Sequence, residues 1–175
     1  MEWTGARYAD QPEVEVETWM AAPPERVWPL VSDVGAMPAT SGELQAVDWT
    51  DGATGPCAGA RFVGHNSHPS LGEWSATATV VTCEPPAEFA WEVDGEGGPA
   101  ARWSFRLEGD DGGTRVRQHV RLGPGRSGLS HAIDRMPDKE QKIVFVRLRE
   151  FEASMTATLA AIRTAAESSS EGAVP

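Results

Sequence analysis

The sequence predicts an α+β fold in which a curved antiparallel sheet surrounds one long C-terminal helix. Three observations support this prediction: a strand followed by a proline-capped helix at the start, strand patterns at hairpin spacing from Leu44 to Leu122, and a sustained helical stripe that runs to Glu167. A curved sheet that surrounds a helix tends to enclose a cavity. The order of elements therefore indicates ligand binding more than it indicates any particular reaction.

The first strand is indicated by strict alternation of two sets of side chains. The inward set is Val14, Val16, Thr18 and Met20, and the outward set is Glu13, Glu15, Glu17 and Trp19. A helix follows, because Pro23 and Pro24 suit a first helical turn and an apolar stripe runs from Val27 to Val31. Pro29 lies inside this stripe and removes a backbone hydrogen bond at a cost of roughly 3 kcal/mol, so we expect a short or kinked helix.

Six further strands are predicted between Pro- and Gly-containing breaks. Their ranges are 44–49, 61–68, 73–83, 88–93, 101–108 and 114–122. Short breaks make consecutive strands antiparallel neighbours. The last strand has the clearest faces: Val116, Gln118, Val120 and Leu122 point inward, and Arg115, Arg117, His119 and Arg121 point outward.

The C-terminal part is predicted to be helical. Leu129, Ile133 and Met136 have the spacing of a short helix that stops at Pro137, and Asp138 with Gln141 resembles a capping box that starts a longer one. The stripe of the long helix consists of Val144, Leu148, Phe151, Met155, Leu159 and Ile162. A helix over 139–167 is roughly 43 Å long and can cross a sheet diagonally.

Length and composition indicate one domain over 12–167, with flexible tails over 1–11 and 168–175. The net charge of −11 argues against nucleic-acid partners and against anionic membrane surfaces, which both require concentrated Lys and Arg. The N-terminal residues lack signal-peptide features, and no apolar run is long enough to span a membrane. We expect a cytoplasmic monomer or homodimer without membrane insertion. Cys57 and Cys83 are expected to be reduced thiols, with a single disulfide as the alternative.

Several segments carry a family resemblance. The stretches GARFVGHNSH (59–68), EWSATATVVTCEPPAEFAWEV (73–93) and WSFRLEGDDGGTRVRQ (103–118) are similar to the SRPBCC superfamily, which includes START, polyketide cyclase and Bet v 1-like proteins. The segments VEVETWMAAPPERVWPLVSDV (14–34) and RMPDKEQKIVFVRLREF (135–151) resemble its first strand and helix and its terminal helix. The resemblance implies a helix-grip fold with about seven strands and a hydrophobic pocket. It implies no catalytic residues here, because fold does not fix function.

The candidate ligand-binding residues are those that strand parity and helical spacing turn toward this pocket. They are Asn66, His68, Trp74, Trp91, Trp103, Gln118, Phe151 and Met155. The tryptophans are either ordinary core or flat walls for an aromatic ligand. Gln118 interrupts an apolar inward row, so its amide either bonds to a neighbour or orients a ligand.

Other motifs carry less weight, and we expect no metal and no cofactor. His65 and His68 form an H-x-x-H pattern, but residues three apart on a strand point to opposite faces. Gly123, Gly125 and Gly128 form a G-x-G-x-x-G that lacks a following strand, which a dinucleotide site needs. No Ser-His-Asp or Cys-His set is recognisable, so catalytic residues stay unassigned.

The expected function is binding of a small hydrophobic molecule, with an aromatic or polyketide-like one as the narrower expectation and polyketide cyclase or dehydrase activity as its catalytic form. In that form His68 or Gln118 would handle protons or carbonyls. A lipid or quinone carrier and a chaperone-associated interaction module are the alternatives. The latter would use an exposed apolar patch, for which Trp19 and Trp49, placed on the outer face, are the hints.

Overall fold

A computed structural model describes residues 1–69 and 71–168. Its strands are β1 (Glu13–Met20), β2 (Leu44–Thr50), β3 (Arg61–His68), β4 (Gly72–Glu84), β5 (Glu88–Gly95), β6 (Gly98–Asp110) and β7 (Gly113–Leu122). Its helices are α1 (Pro24–Ser32), α2 (Gly128–Arg135) and α3 (Glu140–Ser168). The predicted α+β helix-grip fold is therefore confirmed, with strand boundaries close to those that the residue pattern predicted.

The seven strands form one antiparallel sheet in the order β1-β7-β6-β5-β4-β3-β2. Consecutive strands from β2 to β7 are neighbours, joined by the loop over 51–60 between β2 and β3 and by short turns between the later strands. β1 is the edge strand at the other end of the sheet from β2. It pairs with β7, and Val16 lies opposite Gln118. The apolar face of this sheet packs against α1 and α3, and the core lies between them.

The first helix is short, as the proline pattern predicted. Pro23 precedes it, Pro24 occupies its first turn, and Pro29 lies inside it. Val27 and Val31 are fully buried one turn apart. Since an isolated helix of nine residues is unstable in water, packing of this face against the sheet is what keeps α1 folded.

Strand β2 corrects one prediction. We expected Trp49 on the outer face, but it lies opposite Phe62 and contacts that ring edge-on at a centroid distance of 5.6 Å. A register shift between Leu44 and Ala46 is the physical reason. A β-bulge adds one residue to the alternation, so the side chains beyond it change faces. Trp19 does lie on the outer face, where its indole N–H donates to the Asp110 carbonyl.

Helix α3 buries the predicted stripe, since all six of its residues are at most 8% exposed. The start of the helix differs from the prediction. Asp138 lies within a 3₁₀ turn over Pro137–Lys139 and does not cap α3. The side chain of Gln141 donates instead to the Gly5 carbonyl.

The N-terminal segment lies against α3, although we expected a flexible tail over 1–11. Trp3 contacts the Phe145 ring edge-on at 5.0 Å. The Tyr8 hydroxyl donates to the Gly125 carbonyl at 2.7 Å, and the Tyr8 amide donates to Glu140. The expected C-terminal tail lies outside the described residues except for Ser168, which ends α3.

The loop after β7 uses glycine for close packing. The Gly125 amide donates to the Pro99 carbonyl at 2.8 Å, and a side chain at this position would overlap the backbone of Gly98. Within the described part of the chain no strand follows β7, so the βαβ unit of a dinucleotide site does not form.

The outer face of the sheet carries the predicted charged row of β7. Arg115 and Arg117 both donate to Glu17 on β1. These hydrogen bonds hold the pKa of Glu17 below its ordinary value. A lowered folded-state pKa stabilises the protein above the ordinary glutamate pKa, and this contribution is lost as the pH falls through the folded value.

The two cysteines are free thiols. Cys57 is exposed, whereas burial raises the pKa of the Cys83 thiol and the nearby Cys57 raises it further. A raised pKa leaves less of the reactive thiolate at Cys83. Among the described helices none has the length and hydrophobicity needed to span a membrane.

Candidate functional site

A cavity of about 180 Å³ lies between the concave face of the sheet and α3. Six strands, β2 to β7, contribute to its wall, α3 covers it, and the loop before β2 forms one side. The lining residues are Met37, Thr40, Ser41, Glu43, Leu44, Phe62, Gly64, Asn66, Ala76, Ala78, Trp91, Val93, Trp103, Phe105, Gln118, Phe151, Ser154, Met155 and Thr158.

The cavity exists because small residues stand where the sheet faces α3. Gly64, Ala76 and Ala78 occupy three of the inward positions of β3 and β4, and Gly64 lies opposite Ala76. Even a methyl group at Gly64 would come within 3.0 Å of the Leu44 side chain. Larger residues at these positions would fill the space, as they do in ordinary close-packed cores.

The opposite part of the wall is aromatic. Trp91 and Trp103 are cross-strand partners whose rings are nearly parallel, with an interplanar angle of 6° and a centroid distance of 6.2 Å. Phe105 lies beside Trp91, and Phe151 of α3 meets Trp103 edge-on at 5.0 Å. Together these rings form an aromatic, apolar part of the cavity wall, which suits contact with another ring.

Gln118 is the polar side chain in the interior part of this wall. It is only 6% exposed and lies between Val116 and Val120, which are fully buried. Its side-chain oxygen is buried and accepts no hydrogen bond from any described residue. The two alternatives for this amide were a bond to a neighbouring residue and contact with a ligand. For the side-chain oxygen, no described residue provides the neighbouring donor.

Six of the eight predicted site residues line the cavity: Asn66, Trp91, Trp103, Gln118, Phe151 and Met155. Trp74 and His68 do not. Trp74 lies near the start of β4, before the lining positions Ala76 and Ala78. It is half-buried and lies opposite Asn66. His68 lies at the end of β3, and its Nε2 is 3.8 Å from Glu150.

At the cavity edge a charged cluster joins α3 to the loop before β2. Arg147 donates through both terminal nitrogens to Glu43, at 2.8 Å for Nη2, and donates to Glu150 at 3.1 Å. Its guanidinium also lies 4.2 Å from the Phe151 ring centroid. Burial alone would lower the pKa of Arg147, but the two carboxylates outweigh it and raise that pKa.

This cluster also bears on the metal prediction. One ligand atom from each of Glu43, His68 and Glu150 can be chosen so that all three lie within 4.8 Å of one another. However, Arg147 already bonds to both carboxylates and neutralises charge at the point where a cation would bind. The contacts of the described residues are those of an ion-pair network, and we assign no metal to it.

The ion-pair network gives a stability prediction. Glu43→Gln removes the bidentate partner of a largely buried guanidinium and is expected to lower the free energy of unfolding by about 1–3 kcal/mol. Glu108→Gln is the matched control, because its pair with Arg117 lies on the exposed outer face. It is expected to cost less than about 1 kcal/mol. Urea denaturation of both variants measures the difference, and equal costs would contradict the importance of the Glu43 contact.

Sequence reasoning missed this network and the polar residues next to it. Ser154 and Thr158 lie one turn apart on α3 and share the face of Phe151 and Met155, a spacing that could have found them. Thr158 donates to the Thr40 carbonyl and so ties α3 to the loop before β2. The approach of this loop to α3 joins residues more than a hundred positions apart, for which the sequence has no local signal.

Comparison with known proteins agrees with this geometry. A family model described as "Polyketide cyclase / dehydrase and lipid transport" matches residues 11–167. The chain belongs to this family. The resemblance to the SRPBCC superfamily is thereby confirmed. A search of curated proteins found no match.

Solved structures of this family and of related folds are similar throughout the domain. A polyketide-cyclase-like protein from Corynebacterium glutamicum has 27% identity and a TM-score of 0.62, with 86% of this chain and 88% of that chain covered. Major latex-like protein 151 from Panax ginseng has 10% identity and a TM-score of 0.61, with 89% and 97% covered. The di-domain ARO/CYC protein StfQ of the steffimycin biosynthetic pathway has 11% identity and a TM-score of 0.63, with 92% and 52% covered. The latter two show likeness of fold alone.

Proposed function

We propose that this protein binds a small hydrophobic, aromatic molecule in the cavity between the sheet and α3. The observation that carries the proposal is the cavity itself, about 180 Å³ in volume and walled by Trp91, Trp103 and Phe151. An apolar cavity of about 150 Å³ is large enough to admit benzene. The family description, which includes polyketide cyclases and lipid transport, supports the same class of ligand.

The lining favours binding and positioning over acid–base catalysis. Among the described lining residues Glu43 is the single ionisable side chain, and it is engaged by Arg147. His68, one of the two residues expected to handle protons, does not line the cavity. Any rate enhancement would therefore come from holding a flexible molecule in a reactive shape, with Gln118 as the polar contact.

The same lining supports a second candidate function, which is non-catalytic carriage of a hydrophobic molecule. A carrier needs an apolar wall and no titratable group inside it. The interaction-module alternative has less support, because the space under α3 is not filled by side chains and Trp49 packs inward. We therefore place the function of this chain at its cavity.

A blocking variant tests the proposal. Ala78→Leu extends a side chain from the cavity wall and is expected to weaken binding of naphthalene at least about tenfold, because it removes the volume that a ring would occupy. Binding is measured by quenching of intrinsic tryptophan fluorescence, since Trp91 and Trp103 face the site. Thr79→Leu is the matched control on the outer face of the same strand. Equal affinity in both variants would overturn the proposed location, and no binding by the native protein would overturn the proposed function.

A further inference from the structure

We propose that Cys57 and Cys83 are a redox-active pair, which a small-molecule disulfide oxidises to a disulfide bond within the chain. This bond would tie the loop between β2 and β3 to β4. The two thiols are free in the structure and neither of them lines the cavity. The proposal therefore concerns a second site and does not depend on the proposed function.

The end of the loop that contains Cys57 is fixed against β4. Pairing of β3 with β4 ends at Arg61, and the loop continues along the same edge of β4. The Gly59 amide donates to the Val80 carbonyl at 2.8 Å, and the Val80 amide donates to the Ala60 carbonyl at 2.9 Å. These bonds hold the loop beside the part of β4 that leads to the second cysteine.

A direct contact places the two cysteines near each other. The Cys83 thiol donates to the Pro56 carbonyl at 3.5 Å. Planarity of the next peptide bond puts this oxygen roughly 2.8 Å from the Cys57 Cα atom, so the Cys83 sulfur is within roughly 6.3 Å of that atom. Burial raises the pKa of the Cys83 thiol and Cys57 raises it further, which agrees with a short separation.

The loop has room to bring the two sulfurs together. Disulfide-bonded cysteines usually have Cα atoms roughly 4.4–6.8 Å apart, so rotation of both side chains and a small shift of the loop are needed. No atom lies within 4 Å of a Cβ placed at Gly52, Gly55 or Gly59, and Cys57 is exposed. A loop at the surface can make this shift without displacing packed side chains.

The exposed Cys57 is the residue that a small disulfide reaches first, because Cys83 is partly buried. The Cys57 thiolate attacks one sulfur of glutathione disulfide and forms a mixed disulfide, while one glutathione leaves as its thiolate. The Cys83 thiolate then attacks the Cys57 sulfur, and the second glutathione leaves. Two protein thiols are oxidised, one glutathione disulfide is reduced, and both protons pass to the two glutathione thiols.

Peptide mapping tests whether the bond forms. Arg61 lies between the two cysteines, so trypsin places them on separate peptides, over 27–61 and 62–102. After incubation of the native protein with glutathione disulfide and alkylation of the remaining thiols, we expect these peptides to be linked. The intact mass should be that of one chain less two hydrogen atoms. Separate peptides, or an intact mass of two linked chains, would overturn the proposal.

Two variants test the order of the steps and the effect on the loop. Cys83→Ser is expected to accumulate the mixed disulfide of Cys57 with glutathione, which the native protein does not retain. Oxidation of the native protein is expected to raise its melting temperature by about 4 °C or more, because the bond restricts the unfolded chain over 57–83. Cys57→Ser is the control and should show no such rise. A native protein that keeps glutathione on Cys57, or whose melting temperature does not rise when the bond forms, would contradict the pairing or the anchoring of the loop respectively.

Discussion

Gly125→Ala is expected to destabilise the protein by about 3 kcal/mol, because the added methyl group would be forced into rigid backbone. A Cβ atom at Gly125 would lie 2.5 Å from the carbonyl carbon of Gly98 and 3.0 Å from that of Pro99. Backbone cannot rotate aside as the end of a long side chain can. The loop would have to withdraw from the β5–β6 turn and would strain the hydrogen bond from Tyr8 to the Gly125 carbonyl.

Gly128→Ala is the control for this prediction. Gly128 is the first residue of α2, and no atom lies within 4 Å of a Cβ placed there. Alanine has the higher helix propensity, so this variant is expected to be neutral or more stable by less than about 1 kcal/mol. Chemical denaturation of the two variants measures the contrast. Similar stability of both would contradict the packing role of Gly125 in the G-x-G-x-x-G segment.

The pattern of side chains predicted the fold well because sheets and helices repeat locally. Alternation in β7 assigned Gln118 to the inner face, and helical spacing assigned Phe151 and Met155 to the buried stripe. Both assignments depend only on residues that are close together in the sequence. The cavity lining on these elements could therefore be predicted without knowledge of tertiary contacts.

The errors arose where local periodicity is interrupted, or where it does not show which part of a strand borders the cavity. The bulge in β2 moved Trp49 to the inner face, and the residue pattern contains no marker for that shift. Alternation reports which face a side chain occupies but not how far along the strand the cavity extends. For this reason His68 and Trp74 were placed on the correct face of their strands and yet lie beyond the lining.

Contacts between distant segments were the other part that could not be predicted. Glu43 lies on the loop before β2 and Arg147 lies on α3, and the two residues are far apart in the sequence. Their pairing depends on how the sheet curves, which follows from the twist of all seven strands together. The same curvature sets the distance between α3 and the small residues of β3 and β4, and so it decides whether a cavity remains.

The second large effect concerns the part of the core that does not line the cavity. Phe89→Ala is expected to lower the free energy of unfolding by about 3–5 kcal/mol, since Phe89 is fully buried. Its ring meets Trp28 of α1 edge-on at a centroid distance of 6.3 Å and lies beside Trp91 at 5.6 Å. Removing it takes away a contact that fixes the short helix α1 to the sheet.

Two further substitutions relate this prediction to function. Phe145→Ala is the surface control, because Phe145 is only half-buried beneath Trp3, and it is expected to cost about 1 kcal/mol. Phe105→Ala removes an equally buried ring that does line the cavity. It is expected to match Phe89→Ala in its loss of stability but also to enlarge the cavity. Urea denaturation gives the stabilities, and naphthalene titrations of the folded variants give the affinities. Phe89→Ala should keep native affinity and Phe105→Ala should change it; a change in both would mean that the binding site reaches into the core under α1.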